Sequence, residues 1–234
     1  MKIEVFSDFN CPFCYIGKKQ LEQAIEEAGY TGQVTIEYKA YQIAPQIPLE
    51  NAPSFYEGLS DKYEMSVDEV KETTSGISAR AKEVGLVYDF DRMKTANTKK
   101  AHRLAKWVKQ YKQEHAYTEL LMKGYFTEGA DLNDDTVLLA AISELGLDVA
   151  GAREVLHSDQ FLEEIERDSY DAQQIGVQSV PFFVFENRYG IVGAEPNEVF
   201  VRTLHQAAEI AGIKPALTML GDGSNSCSDG QCII

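Results

Sequence analysis

The sequence predicts an α/β fold in which a long all-helical segment separates two groups of strands. Three observations predict it. Residues 2–41 read strand, helix, strand. Helical periodicity then runs without a strand signal to about residue 175. Residues 180–212 read strand, strand, helix.

Lys2–Ser7 alternates Ile3 and Val5 with polar neighbours, a strand pattern. Asp8, Phe9 and Asn10 form the following turn. Ile16, Leu21, Ala24 and Ile25 then recur at helical spacing as far as Gly29, a C-terminal stop. Residues 33–41 make the next strand, with Val34, Ile36 and Tyr38 on one face, so the opening is expected to be a parallel βαβ unit. Pro45, Pro48 and Pro53 mark an irregular exit. Ser66 and Glu69 read as a capping box ahead of a helix closed by Gly85. Further helices are expected after Thr98, extending to Tyr111, then around Leu120 and Tyr125, after Asp134, and from Asp148 and Ser158. Val180 to Phe185 and Tyr189 to Val192 read as a hairpin, and a last helix runs to Gly212. The expected domains are a discontinuous α/β unit at 1–45 and 176–212, an inserted helical domain at 46–175, and a flexible C-terminal tail at 213–234.

The chemistry concentrates in Cys11-Pro12-Phe13-Cys14, at the junction of the first strand and first helix. Residues at i and i+3 share a helical face, so the two sulfurs can meet on the first turn. Unpaired N–H groups and the positive end of the helix dipole favour a thiolate there, and the thiolate is the species that attacks disulfides. Cys11, nearer the helix start and expected to be better exposed, is assigned as nucleophile, and Cys14 as the resolving thiol. Pro12 suits the first helical turn because its missing N–H has no helical partner there. On spacing alone, half of a zinc site or an inert pair remains open.

With the helical segment set aside, the order β-α-β, β-β-α together with Val180-Pro181 resembles the thioredoxin fold. The resemblance implies a cis bond before Pro181, facing the two cysteines, with the backbone of Val180 free to pair with an extended substrate. The whole chain resembles the DsbA family of thiol–disulfide oxidoreductases, and within it the cytoplasmic FrnE-like branch. Ser7-Asp8, Asn97-Thr98, Ala101-His102-Arg103, residues 125–129, Gly176-Val177 and residues 193–196 carry that likeness besides the two active-site segments. Some FrnE-like proteins have a second pair spaced C-x4-C, and Cys227 and Cys232 have that spacing here. The resemblance implies a protein disulfide oxidoreductase or isomerase with Cys11 and Cys14 as redox pair and Cys227 and Cys232 as a possible relay. Pro12, Phe13, Val180 and Pro181 would support the site, with no metal and no cofactor. Expected partners are protein thiols and disulfides or unfolded polypeptides, with glutathione or a thioredoxin-type protein for exchange, in a monomer or homodimer. Two alternatives share the scaffold: a glutathione-dependent isomerase of the hydroxychromene carboxylate type, which usually carries Ser in place of Cys11, and a redox-controlled chaperone.

Composition narrows the field. The 234 residues carry a net charge of −15, which argues against nucleic acid and anionic membrane surfaces as partners. No apolar run approaches the ~20 residues of a membrane span. The start shows no signal-peptide pattern, so a cytoplasmic location is expected. His102 could face the site from the inserted helices but is read by default as a packing or surface residue, and His115, His157 and His205 show no partner pattern.

Overall fold

A computed structural model describes residues 1–48 and 52–216. Its elements run β1 (Lys2–Ser7), α1 (Pro12–Glu27), β2 (Thr35–Ala40), α2 (Phe55–Tyr63), α3 (Val67–Glu83), α4 (Lys99–Lys109) and α5 (Glu114–Glu128). They continue α6 (Asp135–Glu144), α7 (Val149–Leu156), α8 (Leu162–Gln174), β3 (Phe182–Phe185), β4 (Tyr189–Val192) and α9 (Asn197–Ala211). The four strands form one sheet in the order β2-β1-β3-β4. β1 pairs parallel with β2 and antiparallel with β3, and β3 pairs antiparallel with β4.

Alternation along β1 splits its side chains between the two faces. Ile3 and Val5 join Leu21 and Ala24 of α1, Phe183 and Phe185 of β3, and Phe200 and Leu204 of α9 in one core. Phe6 points the other way and packs with Ala172 of α8 and Val177. The last helix before β3 therefore covers the sheet, although it lies within the stretch expected to form the inserted domain.

The helices between β2 and β3 build a larger core that includes Phe55, Tyr88, Phe90, Leu104, Tyr117 and Phe126. Cys11, Cys14, Tyr15 and Ile16 belong to the same cluster. The first turns of α1 are thus buried against these helices as well as the sheet. Ionic contacts join the same surfaces. Lys18 of α1 pairs with Glu22 and with Glu119 of α5, and the Tyr15 hydroxyl donates to Glu119 at 2.8 Å. Ala40 N donates to Asp168 Oδ2 at 2.7 Å, and Lys106 of α4 pairs with the same carboxylate.

Several boundaries differ from the sequence reading. The Ser54–Glu57 capping box starts α2, a helix the sequence analysis did not single out, because the prolines before it dominate the local pattern. α4 ends at Lys109, short of Tyr111. α8 begins at Leu162 and not at Ser158, its cap being Phe161 in the left-handed region. The Ser66 capping box is as expected, with Glu69 N donating to Ser66 Oγ at 3.3 Å and Ser66 N to Glu69 Oε2 at 2.8 Å.

Gly17 sits where α1 passes closest to the β3 end of the sheet. A Cβ there would lie 3.0 Å from both Phe183 Cζ and Pro181 Cγ. Helix propensity alone would make any larger residue except proline stabilising. The contact reverses this for a branched side chain, and Gly17→Val is expected to lower stability by roughly 1–3 kcal/mol, the usual cost of overpacking. Urea denaturation checks it; an unchanged midpoint would show that the helix can move away from Pro181.

Candidate active site

The turn after β1 delivers Cys11 to the N-cap of α1, with Pro12 in the first helical turn. Cys11 N donates to Asp8 O at 3.2 Å, and Cys14 N to Cys11 O at 3.0 Å. These local bonds place Cys11 and Cys14 one turn apart on the same face. Both thiols are free. The Val180–Pro181 bond is cis. Cys11 Sγ lies 3.7 Å from Val180 O and donates to it. Four of the expected site residues (Cys11, Cys14, Val180 and Pro181) thus converge across 169 positions of chain. Cys227 and Cys232 lie outside the described residues.

Cys11 is not the open thiol the sequence suggests. It is 6% exposed against 2% for Cys14. The helices of the insertion close over the first turn of α1, which sequence position alone does not reveal. The sulfurs differ in surroundings rather than in exposure. Burial holds the Cys14 thiol well above its ordinary range, and the adjacent Cys11 sulfur adds to the rise, while the Ser7 hydroxyl and the Asp8 N–H oppose it. Asp8 N lies 3.5 Å from Cys14 Sγ.

Asp8 itself is fully buried. Its Oδ2 accepts from Ile43 N at 2.7 Å, and its Oδ1 lies 3.0 Å from His102 Nε2. The His102 ring also packs on Phe9, with centroids 4.8 Å apart. His102 is therefore buried packing and not surface, and it also reaches the cysteine turn as the partner of a buried acid. His115 and His205 do have partners: His115 lies 3.0 Å from Glu22, and the His205 ring lies 3.0 Å from the Tyr30 hydroxyl. Sequence pattern could not have found these contacts, since each joins residues distant in the chain.

Two residues of the insertion grip the Pro12-Phe13 dipeptide. The Tyr88 hydroxyl donates to Pro12 O at 2.7 Å. The Arg80 guanidinium lies 5.1 Å over the Phe13 ring and donates to Ala194 O. Neither Tyr88 nor Arg80 carried a signal in the sequence; only the residues they touch did.

Close to Ser7 and His102 a cavity of about 10 Å³, the size of one water, is also lined by Tyr38, Lys106 and Glu114. Glu114 is 7% exposed, and its Oε1 has no partner among the described residues. Burial raises its carboxyl to about 7, against the pull of Lys106, Lys109 and the Tyr38 N–H. Among the described residues no cluster of three or more His, Cys, Asp or Glu is placed to hold a metal. No described helix is long and apolar enough to cross a membrane.

A sheet of this order, with paired thiols at the first helix N-terminus facing a cis-proline loop, defines a scaffold of the thiol–disulfide oxidoreductase class. The chain belongs to the DSBA-like thioredoxin domain family, which it matches over residues 2–205. It is similar to a probable DsbA oxidoreductase of Streptomyces coelicolor at 28% identity, with a TM-score of 0.84 over 100% of this chain and 99% of that one. The uncharacterized protein YwbO of Bacillus subtilis is 25% identical over 86% of this chain and 94% of its own. A 2-hydroxychromene-2-carboxylate isomerase shares the fold, with 17% identity and a TM-score of 0.68 over 91% of this chain and 98% of that one.

The raised Glu114 carboxyl has a stability consequence. A carboxyl raised on folding stabilises the fold fully below its unfolded value, near 4.5, and this contribution is lost as pH rises through about 7. Glu114→Gln removes the loss, so the variant is expected to gain on the order of 2–3 kcal/mol over the wild type between pH 4.5 and pH 8. Thermal melts of both proteins at the two pH values check this. A difference that stays constant with pH would show that Glu114 keeps an ordinary carboxyl.

Proposed function

We propose that this protein is a thiol–disulfide oxidoreductase acting on protein disulfides through Cys11 and Cys14. The observation that carries the reading is the unlike environment of two adjacent sulfurs. Both are buried, but Cys11 stands at the N-cap position of α1 with its thiol on the Val180 carbonyl, whereas Cys14 faces the Asp8 N–H and is held as a thiol. The shared fold of the isomerase means that fold alone does not separate the two chemistries. The second cysteine does, because resolution of a mixed disulfide needs a neighbouring sulfur.

In the reductive direction the Cys11 thiolate attacks one sulfur of the substrate disulfide. A Cys11–substrate bond forms, the substrate S–S bond breaks, and the second substrate sulfur leaves as a thiolate. Cys14, after losing its proton, attacks the Cys11 sulfur. The Cys11–Cys14 disulfide forms and the first substrate sulfur is released, so the substrate gains two electrons and the protein loses two. The reverse sequence oxidises a dithiol. Pro12 and Phe13 shape the pair, and Val180 presents its backbone to an extended substrate while Pro181, whose carbonyl accepts from Gly193 N at 2.7 Å, holds the loop. Glutathione or a thioredoxin-type protein in the cytoplasm would return the pair to its starting state, as in the FrnE-like branch that the sequence resembles.

Cys227 and Cys232 are proposed as a relay. Ala216 N donates to Gly29 O at 2.8 Å, which fixes the last described residue beside the far end of α1. The 16 residues of α1 span about 24 Å. The chain from 216 to 227 can reach about 36–40 Å when extended, so return to Cys11 is within its length.

Cys11→Ser is expected to abolish insulin reduction, with a loss of at least about 100-fold. Cys14→Ser should accumulate a Cys11–substrate mixed disulfide visible by mass spectrometry. Full activity in Cys11→Ser would sink the reading. For the relay, a Cys227→Ser/Cys232→Ser protein is expected to keep its first-turnover burst but lose several-fold in steady-state rate; an unchanged steady state removes the relay and leaves the Cys11–Cys14 chemistry intact.

A further inference from the structure

Both reacting sulfurs lie inside the protein, Cys11 at 6% exposure and Cys14 at 2%. Attack on a disulfide brings Cys11 Sγ into line with the S–S bond, so the rate depends on access to that sulfur. On the side of Val180 the way in is a cleft of about 330 Å³, lined by Phe13, Val180 and residues 193–196, with Arg80 of α3 among its walls. That volume takes a small ligand or one large side chain and not a length of polypeptide. A protein disulfide therefore reaches Cys11 only if part of the wall gives way.

Arg80 is the part of the wall best placed to do so. Its guanidinium lies 5.1 Å from the centroid of the Phe13 ring and donates to Ala194 O. Gly193 N in turn donates to Pro181 O at 2.7 Å, so one side chain ties α3 to the active-site turn and to the loop that carries Pro181. The backbone beneath it is fixed, because Ala81, next in the chain, is fully buried. Arg80 itself is exposed. Its side chain can leave both partners without unpacking the helix, at the modest cost of a charge-assisted hydrogen bond and a cation–π contact at the surface. Glu195 lines the same cleft, so a guanidinium that lets go of Ala194 O has a carboxylate to take up in its place.

We propose that Arg80 is a strap across the Val180 cleft that polypeptide disulfides must displace, and that it thereby sets the preference between protein and small disulfides. The inference rests on the disulfide-exchange reading and adds what limits access to Cys11. A small disulfide enters with the strap in place. An extended substrate that pairs with the Val180 backbone needs the space the guanidinium spans. The strapped fraction of the protein is lost to polypeptide substrates, and their apparent affinity falls in proportion. Arg80 is a specificity-determining residue and takes no part in the transfer of electrons.

The test uses the full-length reduced protein in single turnovers with insulin and with hydroxyethyl disulfide. Arg80→Ala is expected to raise the insulin-to-hydroxyethyl-disulfide rate ratio at least about 5-fold, as release of a strap that is closed most of the time requires. Arg80→Gln, which removes the charge and keeps most of the length, should raise the ratio in the same direction and covers the case in which the alanine variant does not fold. A second arm needs no disulfide exchange. Cys11 is alkylated with N-ethylmaleimide or with a maleimide carrying a polyethylene-glycol chain, and its modification is followed by peptide mass spectrometry. The bulky-to-small rate ratio is expected to rise at least about 5-fold in the same variants. A ratio within about 2-fold of the wild type in either arm would overturn the proposal. So would a falling insulin ratio, which would make Arg80 a group that binds the substrate. Absence of exchange with both disulfides would instead overturn the oxidoreductase reading, and the alkylation arm would still decide whether Arg80 closes the cleft.

Discussion

The buried carboxyl of Asp8 fixes the geometry on which the site depends. It lies at the end of β1, fully out of solvent, where an unpaired acid would cost several kcal/mol. Its two oxygens are met by Ile43 N beyond β2 and by His102 of α4. Its own N–H faces Cys14 Sγ, and its carbonyl receives Cys11 N. One residue thus ties together the end of the first strand, the exit from the second, the inserted helices and both cysteines. The approach of α1 to Pro181 at Gly17 sets the remaining distance, because a side chain there would push the helix from the loop that faces Cys11.

The site is consequently a product of the seam between sheet and helices. Tyr88 holds Pro12 and Arg80 holds Phe13, both from the inserted stretch. Lys18, Lys19, Glu22 and Glu119 bind α1 to α5 further along the same seam. Burying Cys14 in this seam holds its thiol well above the ordinary range and so favours the protonated form. In the exchange proposed above, a proton held there would tie resolution of the mixed disulfide to its loss.

The local parts of this arrangement were legible in the chain. The alternation of β1, the CPFC turn, the Ser66 capping box and Val180-Pro181 are written within a few residues, so the pattern and the structure coincide. What escaped was tertiary. α2 is short, and its capping box follows a proline-rich exit that reads as irregular. Asp8 and His102 both stood out in the sequence, but nothing there showed that residues 94 positions apart would meet. Arg80 and Tyr88 looked like ordinary helix and loop residues, because their importance lies in what they touch. The exposure expected of Cys11 failed for the same reason. A helix start is open in an isolated βαβ unit, and here the insertion covers it.

Phe13 shows how these levels combine. In the sequence it is one of two residues between the cysteines. In the structure its ring lines both clefts beside Cys11, the charge-free groove toward α2–α3 and the cleft that holds Arg80 and Glu195. Arg80 rests on that ring and reaches the Ala194 carbonyl, so it braces the wall the two clefts share. The dipeptide between the thiols therefore also walls the space beside them. A change at Phe13 touches both clefts at once, whereas Leu59 lines only the one and Arg80 only the other, so the two sides separate when those residues are varied independently.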